Sequence, residues 1–256
     1  MDLDPNHIDL GWIASRAAAW GWVLARVAGL CWTLPTMALP GVDLRVRTLL
    51  AVVLGVVLAP LIEQAAGPPP AGSALAGLFL VELLVGVLLG WSAGLIVAAA
   101  RQGGELVGAQ AGLSASALFD PDTGLELSPL GHLYGLIALG VFLAMDGPLA
   151  SMEVLIESYR AIPAGTWVLN EHSASRAFAE VGSALALSLR VAAPPALSLA
   201  VAGIALGWIG RLAPAVPLLA LSLPVRSVLG ILLVSLSLAT LVATLGQAWA
   251  AWPWGL

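Results

Sequence analysis

The sequence predicts an all-α membrane protein of about six apolar helices broken by Pro and Gly, and three observations predict it. Of its 256 residues, 60% are hydrophobic and only 10% charged, where an ordinary soluble domain carries about 25% charged residues. Apolar stretches recur that are long enough to cross a hydrocarbon core, which takes about 20 residues at 1.5 Å rise each. Prolines and glycines interrupt these stretches, and non-helical backbone at membrane depth persists only where protein or a water-filled cavity surrounds it.

In order along the chain, span one runs from Leu10 to Leu39 and carries Arg16 and Arg26. The polar residues before it (Asp2, Asp4, Asp9) include neither a basic region nor a small-residue cleavage site, so this helix is expected to be retained. Span two, Thr48 to Ile62, is short and closes at Ala59-Pro60, and a Gly67 to Pro70 turn follows. Span three covers Ala74 to Ala100, span four Leu130 to Met145, span five Ala177 to Ile209 with a Pro194-Pro195 break, and span six Val228 to Trp249. Basic residues stay on the cytoplasmic side of a membrane. Arg45, Arg47, Arg101, Arg211 and Arg226 fall on one side and Arg160 and Arg176 on the other, which places both termini and the acidic segment from Asp146 to Glu171 outside. Trp12, Trp20, Trp22, Trp249, Trp252 and Trp254 suit the headgroup level or a partner subunit.

Four charged residues, Arg16, Arg26, Glu82 and Arg190, lie inside apolar runs, and Glu105 lies in the weakly polar helix that continues span three. A central Arg or Asp costs about 2.5–3.5 kcal/mol on insertion scales, so such groups rarely face lipid. They fit a polar conduit or an ion relay; equally, they fit snorkelling arginines or a static pair of Glu82 with an arginine. Gly86, Gly90 and Gly94 recur at four-residue spacing, and Gly104, Gly108 and Gly112 repeat the device. Such rows let a neighbouring backbone approach closely, within the chain or between subunits. Gly203 and Gly207 repeat it once more.

The stretch from Arg101 to Ser128 begins as a helix and becomes small and irregular through Gly112, Leu113, Ser114, Ala115, Ser116, Ala117, Leu118 and Phe119. It ends in a turn from Asp120-Pro121 to Gly124, residue types that disfavour helix and suit a left-handed position. Too apolar for a solvated linker, it is expected to form a re-entrant or pore-plugging loop.

Composition also excludes chemistry. All ten basic residues are arginine and the formal charge is −5, which removes lysine-based chemistry and argues against nucleic acid as a partner. Cys31 is the only cysteine, so no internal disulfide or cysteine metal site is expected. His7, His132 and His172 stand far apart with no second ligand at metal spacing. Asp120 and Asp122 flank Pro121 as a turn would require. No catalytic residue, metal or cofactor is therefore expected.

Several motifs make the chain recognisable. Leu34-Pro35-Thr36, then Leu39-Pro40-Gly41 and Arg45-Val46-Arg47, lead to Gly104-Glu105-Leu106-Val107-Gly108-Ala109-Gln110-Ala111-Gly112-Leu113 and Phe119-Asp120-Pro121. Ala144-Met145-Asp146-Gly147, Glu157-Ser158-Tyr159, Pro163-Ala164-Gly165, Arg211-Leu212-Ala213-Pro214 and Leu223-Pro224 follow in order. Over nearly its whole length the chain resembles the FliR/SctT family, membrane components of the flagellar and injectisome type III secretion export apparatus. It departs from the family pattern at Pro148, where a His is common, and at Ala215 and Pro217, where a Gln and an Asn are common.

The resemblance implies a protein-transport subunit of the bacterial inner membrane, in flagella part of the basal body. One copy would assemble with FliP/SctR-like and FliQ/SctS-like proteins, joined by a FlhB/SctU-like protein, into a helical cone of tilted, Pro/Gly-broken helical hairpins that forms the gate for unfolded substrates. It further implies a FliP-like half over 1–175, with a channel plug at 112–124, and a FliQ-like hairpin over 176–256. The residues themselves leave two other classes open. A self-contained secondary transporter would show repeat halves broken at matching positions, and an intramembrane enzyme would need paired acids on facing helices.

Overall fold

The computed structural model describes residues 10–37, 42–66, 75–113, 128–212 and 218–252. Among them the regular secondary structure is all helical, with α1 (Leu10–Thr33), α2 (Leu44–Ala66), α3 (Leu75–Gln110), α4 (Pro129–Ala144), α5 (Gly147–Ala161), α6 (Glu171–Leu212) and α7 (Leu218–Ala250). Four stretches are long and apolar enough to cross a membrane: Leu44–Ile62, Gly77–Gln110, Glu171–Leu212 and Ser222–Ala250. The bent pair α4–α5 is long and apolar enough when taken together, as a broken span or a re-entrant loop. This is the all-α membrane class that composition predicts.

The chain folds as two compact units, with boundaries at Gly94/Leu95, Gly147/Pro148 and Glu171/His172. The first holds α1, α2, the beginning of α3 and nearly all of α5, and the second holds the remainder of α3 with α4, α6 and α7.

Several helix limits differ from the sequence expectation. Span two does not close at Pro60, because α2 begins at Leu44 and continues through that proline to Ala66. The break expected at Pro194-Pro195 is absent, and α6 is one helix of 42 residues. Two prolines remove the N–H groups that would bond the carbonyls one turn back. Apolar sequence on both sides still favours helix, since in hydrocarbon every other backbone group must be satisfied within it. At 1.5 Å per residue α6 is about 63 Å long and α3 about 54 Å, well beyond a hydrocarbon core of about 30 Å.

The acidic segment from Asp146 to Glu171 contains a helix that hydropathy alone does not reveal. In α5, Ser151, Val154, Leu155, Ser158 and Tyr159 are all buried, the i, i+3, i+4, i+7, i+8 stripe of a packed helix. Two serines in the stripe, with Glu153, Glu157 and Arg160 between, dilute its apolar signal. α5 starts after a sharp turn in which Asp146 takes a φ of 54°.

Three tryptophans pack inside the chain. Trp22 is fully buried in the first unit, edge-on to Tyr159 with ring centroids 5.2 Å apart. In the second unit Trp249 and Trp252 are buried, Trp249 packing on Phe142 at 4.6 Å and on Trp252 at 5.9 Å. Tilted and edge-to-face ring packing inside the chain buries these three rings.

Candidate functional site

In the first unit, α1 and α3 meet backbone to backbone. A β-carbon on Gly86 would run into the Arg26 carbonyl, and one on Gly90 would come within 2.8 Å of the Leu30 carbonyl. From the opposite side, Gly29 of α1 faces the Leu83 carbonyl and the Val87 nitrogen of α3. Gly94 is less constrained, since a β-carbon there would lie 3.7 Å from the Thr33 carbonyl. Missing side chains let the helices approach closely, the packing device of small residues in membranes.

This approach sets Arg26 beside Glu82. The Arg26 Nε donates to Glu82 Oε2 at 2.7 Å, and neither side chain has any exposed surface. A guanidinium has more donors than one carboxylate oxygen can absorb, and two of the others go to α5 and the turn after it. Nη1 donates to Ser158 Oγ at 2.9 Å and Nη2 to the Ile162 carbonyl at 3.2 Å. The Arg26 Cζ also stands 3.8 Å from the centre of the Tyr159 ring, a cation–π position.

The second Glu82 oxygen is used as well. Glu82 Oε1 accepts from the Gly165 backbone N–H at 2.9 Å. Gly165 has a φ of 73°, and Thr166 N–H donates back to the Pro163 carbonyl at 3.1 Å. A β-turn that needs positive φ at its third residue places Gly there, which accounts for Pro163-Ala164-Gly165 in the sequence.

In the second unit, α3 ends in a Schellman turn. Leu113 N–H donates to the Gly108 carbonyl at 3.0 Å and Gly112 N–H to the Ala109 carbonyl at 3.2 Å, with Gly112 at a φ of 74°; glycine is the usual residue at that left-handed position. The end is tied down by α7, whose Ser227 Oγ donates to the Ala111 carbonyl at 3.1 Å. Further along, Ser128 caps α4 by accepting the Gly131 N–H at 3.1 Å, a standard use of serine before a helix. Its own N–H donates to Glu105 Oε1 at 2.7 Å. Glu105 thus lies at the positive N-terminal end of α4.

Arg26 and Glu82 are therefore brought together, whereas Glu105 bonds to backbone and Arg190 sits exposed on α6. The Arg16 side chain and residues Ser114, Ala115, Ser116, Ala117, Leu118, Phe119, Asp120 and Pro121 lie outside the described residues. A β-carbon on Gly104 would come within 2.5 Å of the Leu130 carbonyl and 2.8 Å of the Gly131 α-carbon, while Gly108 is buried. Gly103, which four-residue spacing skips, is packed as tightly, its β-carbon position 2.8 Å from the Ser188 carbonyl. Gly207 has nothing near it. The sequence motifs include Ser158, Tyr159 and Gly165 without revealing a role for them, and they do not single out Ser128 or Ser227. Among the described residues no group of three His, Cys, Asp or Glu is placed to hold a metal ion.

A multi-span all-α membrane protein with a charge pair sealed inside one of its units is the class this architecture defines. The family described as bacterial export proteins, family 1, matches residues 17–252. The chain belongs to that family, the FliR/SctT type III export family whose motifs it carries. It is 32% identical over 162 residues to a flagellar biosynthetic protein FliR of Pectobacterium carotovorum, a match covering 63% of this chain and 62% of that relative. It is 26% identical over 209 residues to the flagellar biosynthetic protein FliR of Caulobacter vibrioides, covering 79% and 83%. A Yop proteins translocation protein T of Yersinia pestis is 25% identical over 154 residues, 59% of each chain.

Proposed function

We propose that the chain is a non-enzymatic subunit of a type III protein export gate in the bacterial inner membrane. Its partners would be FliP/SctR-like, FliQ/SctS-like and FlhB/SctU-like membrane proteins and membrane lipid, and the gate's cargo unfolded export substrates. The observation that carries this reading is the family match, which runs through residues 17–252. Relatives of both flagellar and translocation type support it, and the higher identity of a flagellar one, 32% against 25%, favours a flagellar setting.

The frame around residues 114–127 fits this role. Its two flanks are fixed by Gly112, Ser227, Ser128 and Glu105, so a channel plug over 112–124 would be rigidly mounted. A lining for an extended polypeptide needs small and apolar residues and few charges, which the uncharged run Ser114-Ala115-Ser116-Ala117-Leu118-Phe119 supplies. The FliP-like half over 1–175 and the FliQ-like hairpin over 176–256 complete the proposal, with the arginine-rich loops cytoplasmic. Exposed apolar side chains on α6 and α7, among them Leu197, Val201, Ile204, Val228, Ile231 and Leu236, would meet lipid or those partners.

The test is co-expression of the tagged chain with the candidate gate proteins of the same genome, extraction in mild detergent and native mass spectrometry. A large hetero-oligomer containing one copy of this chain is expected. A monomer or homodimer that ignores those proteins overturns the proposal and favours a self-contained transporter.

A further inference from the structure

We infer that Arg26 and Glu82 form a charge-balanced latch whose hydrogen bonding is completed only when the 158–165 segment docks on α1 and α3, so that docking and satisfaction of the buried pair are one event. This does not depend on the export reading, since every group lies within the first unit.

The inventory of bonds carries the inference. Helices α1 and α3 contribute a single link between the charges, Nε to Oε2. The 158–165 segment contributes the Ser158 hydroxyl, the Ile162 carbonyl, the Gly165 N–H and the face of Tyr159. Without that segment, both terminal guanidinium nitrogens and one carboxylate oxygen lose their partners. One helical turn away on the same helices, Trp22 and Val23 before Arg26 and Leu78 and Val85 on either side of Glu82 are apolar or aromatic and buried. A charge left unpaired in such surroundings is strongly destabilising, whereas removing both charges together is often neutral.

The geometry also distinguishes the latch from an ion relay. Arginine does not lose its proton in proteins, and both carboxylate oxygens are bonded to fixed groups. Glu82 therefore serves as a positioning residue for the Pro163–Thr166 turn.

Hydrogen exchange followed by mass spectrometry on the full-length chain in lipid nanodiscs tests this, read on peptides covering 158–166. In the parent chain exchange is expected to be slow. Glu82→Leu, which strands Arg26, is expected to raise it on the order of a hundredfold, the size of a broken buried pair. The double variant Arg26→Met/Glu82→Leu is expected to return to within about tenfold of the parent, because no charge remains to be neutralised. A single variant that exchanges as slowly as the parent, or a double variant as fast as the single, overturns the latch. Where Glu82→Leu does not accumulate in membranes, restored accumulation of the double variant supports the latch and its equal absence overturns it.

Discussion

Helix α3 carries two acids, Glu82 in the first unit and Glu105 in the second, and they solve the same problem differently. Each bonds the backbone N–H of a later segment, Gly165 at 2.9 Å and Ser128 at 2.7 Å. Glu82 is fully buried and has a cation at 2.7 Å, while Glu105 is half-buried and sits at the start of α4. A helix N-terminus offers only about half an elementary charge, enough for a carboxylate that still touches its surroundings. Full burial demands full neutralisation, and so Glu82 requires Arg26. The acid that is sealed is the one on which the packing of its unit depends.

Breaking the sealed pair from one side therefore has the largest expected effect. Arg26→Met with Glu82 retained should cost about 3–5 kcal/mol, read as a fall in the thermal unfolding midpoint of the purified chain. The double variant Arg26→Met/Glu82→Leu should lose much less. Equal losses in the two proteins would show that Arg26 acts through its bulk and not its charge.

Next in size is the glycine contact that makes the pair possible. Gly86→Ala should destabilise by about 1–3 kcal/mol, the usual cost of overpacking, because its new carbon meets the Arg26 carbonyl carbon at 2.8 Å. Gly77→Ala in the same helix meets nothing within 4 Å and should gain about 0.5–1 kcal/mol from the better helix former. Parallel midpoints for the two variants would remove the packing role assigned to Gly86.

What the sequence made legible follows from how each feature is encoded. Apolar runs and glycine spacing are local signals, so the all-α membrane class and the Gly86–Gly90 face could be read directly. The choice of Arg26 over Arg16 and Arg190 as the partner of Glu82 depends on helix pairing between residues 56 apart, which no local pattern encodes. Helix α5 was hidden because its buried stripe includes Ser151 and Ser158, whose value lies in bonding and not in hydrophobicity. Prolines at 60, 194 and 195 present the opposite case, since their local penalty is outweighed by the surrounding pressure to keep a helix intact.

In the second unit the anchors are neutral or half-exposed, and smaller effects are expected. Ser128→Ala removes the α4 cap and should cost about 1 kcal/mol, whereas Glu105→Gln keeps an acceptor oxygen for Ser128 N–H and should cost less than that substitution does. Exchange of the Gly131 amide measures the first, and exchange of the Ser128 amide the second. If Glu105→Gln proved the more damaging, the carboxylate charge at the helix end, and not its hydrogen bond, would be what holds α4.

The smallest effect is expected at a second, exposed ion pair of the first unit. Arg160 Nη1 donates to Glu157 Oε2 at 2.8 Å, nearly the same separation as in the buried pair, yet the two side chains remain 60% and 57% exposed. Neither group has surrendered much hydration, so neither depends on the other. Glu157→Ala should therefore shift stability by no more than about 0.5 kcal/mol, the range of exposed pairs, and Arg160→Ala by as little. Thermal unfolding of each at low and at high salt gives the measurement, with overlapping curves expected. A loss approaching that of Arg26→Met would mean that Glu157 and Arg160 are covered in the working protein, and it would turn attention to a partner surface over the outer face of α5.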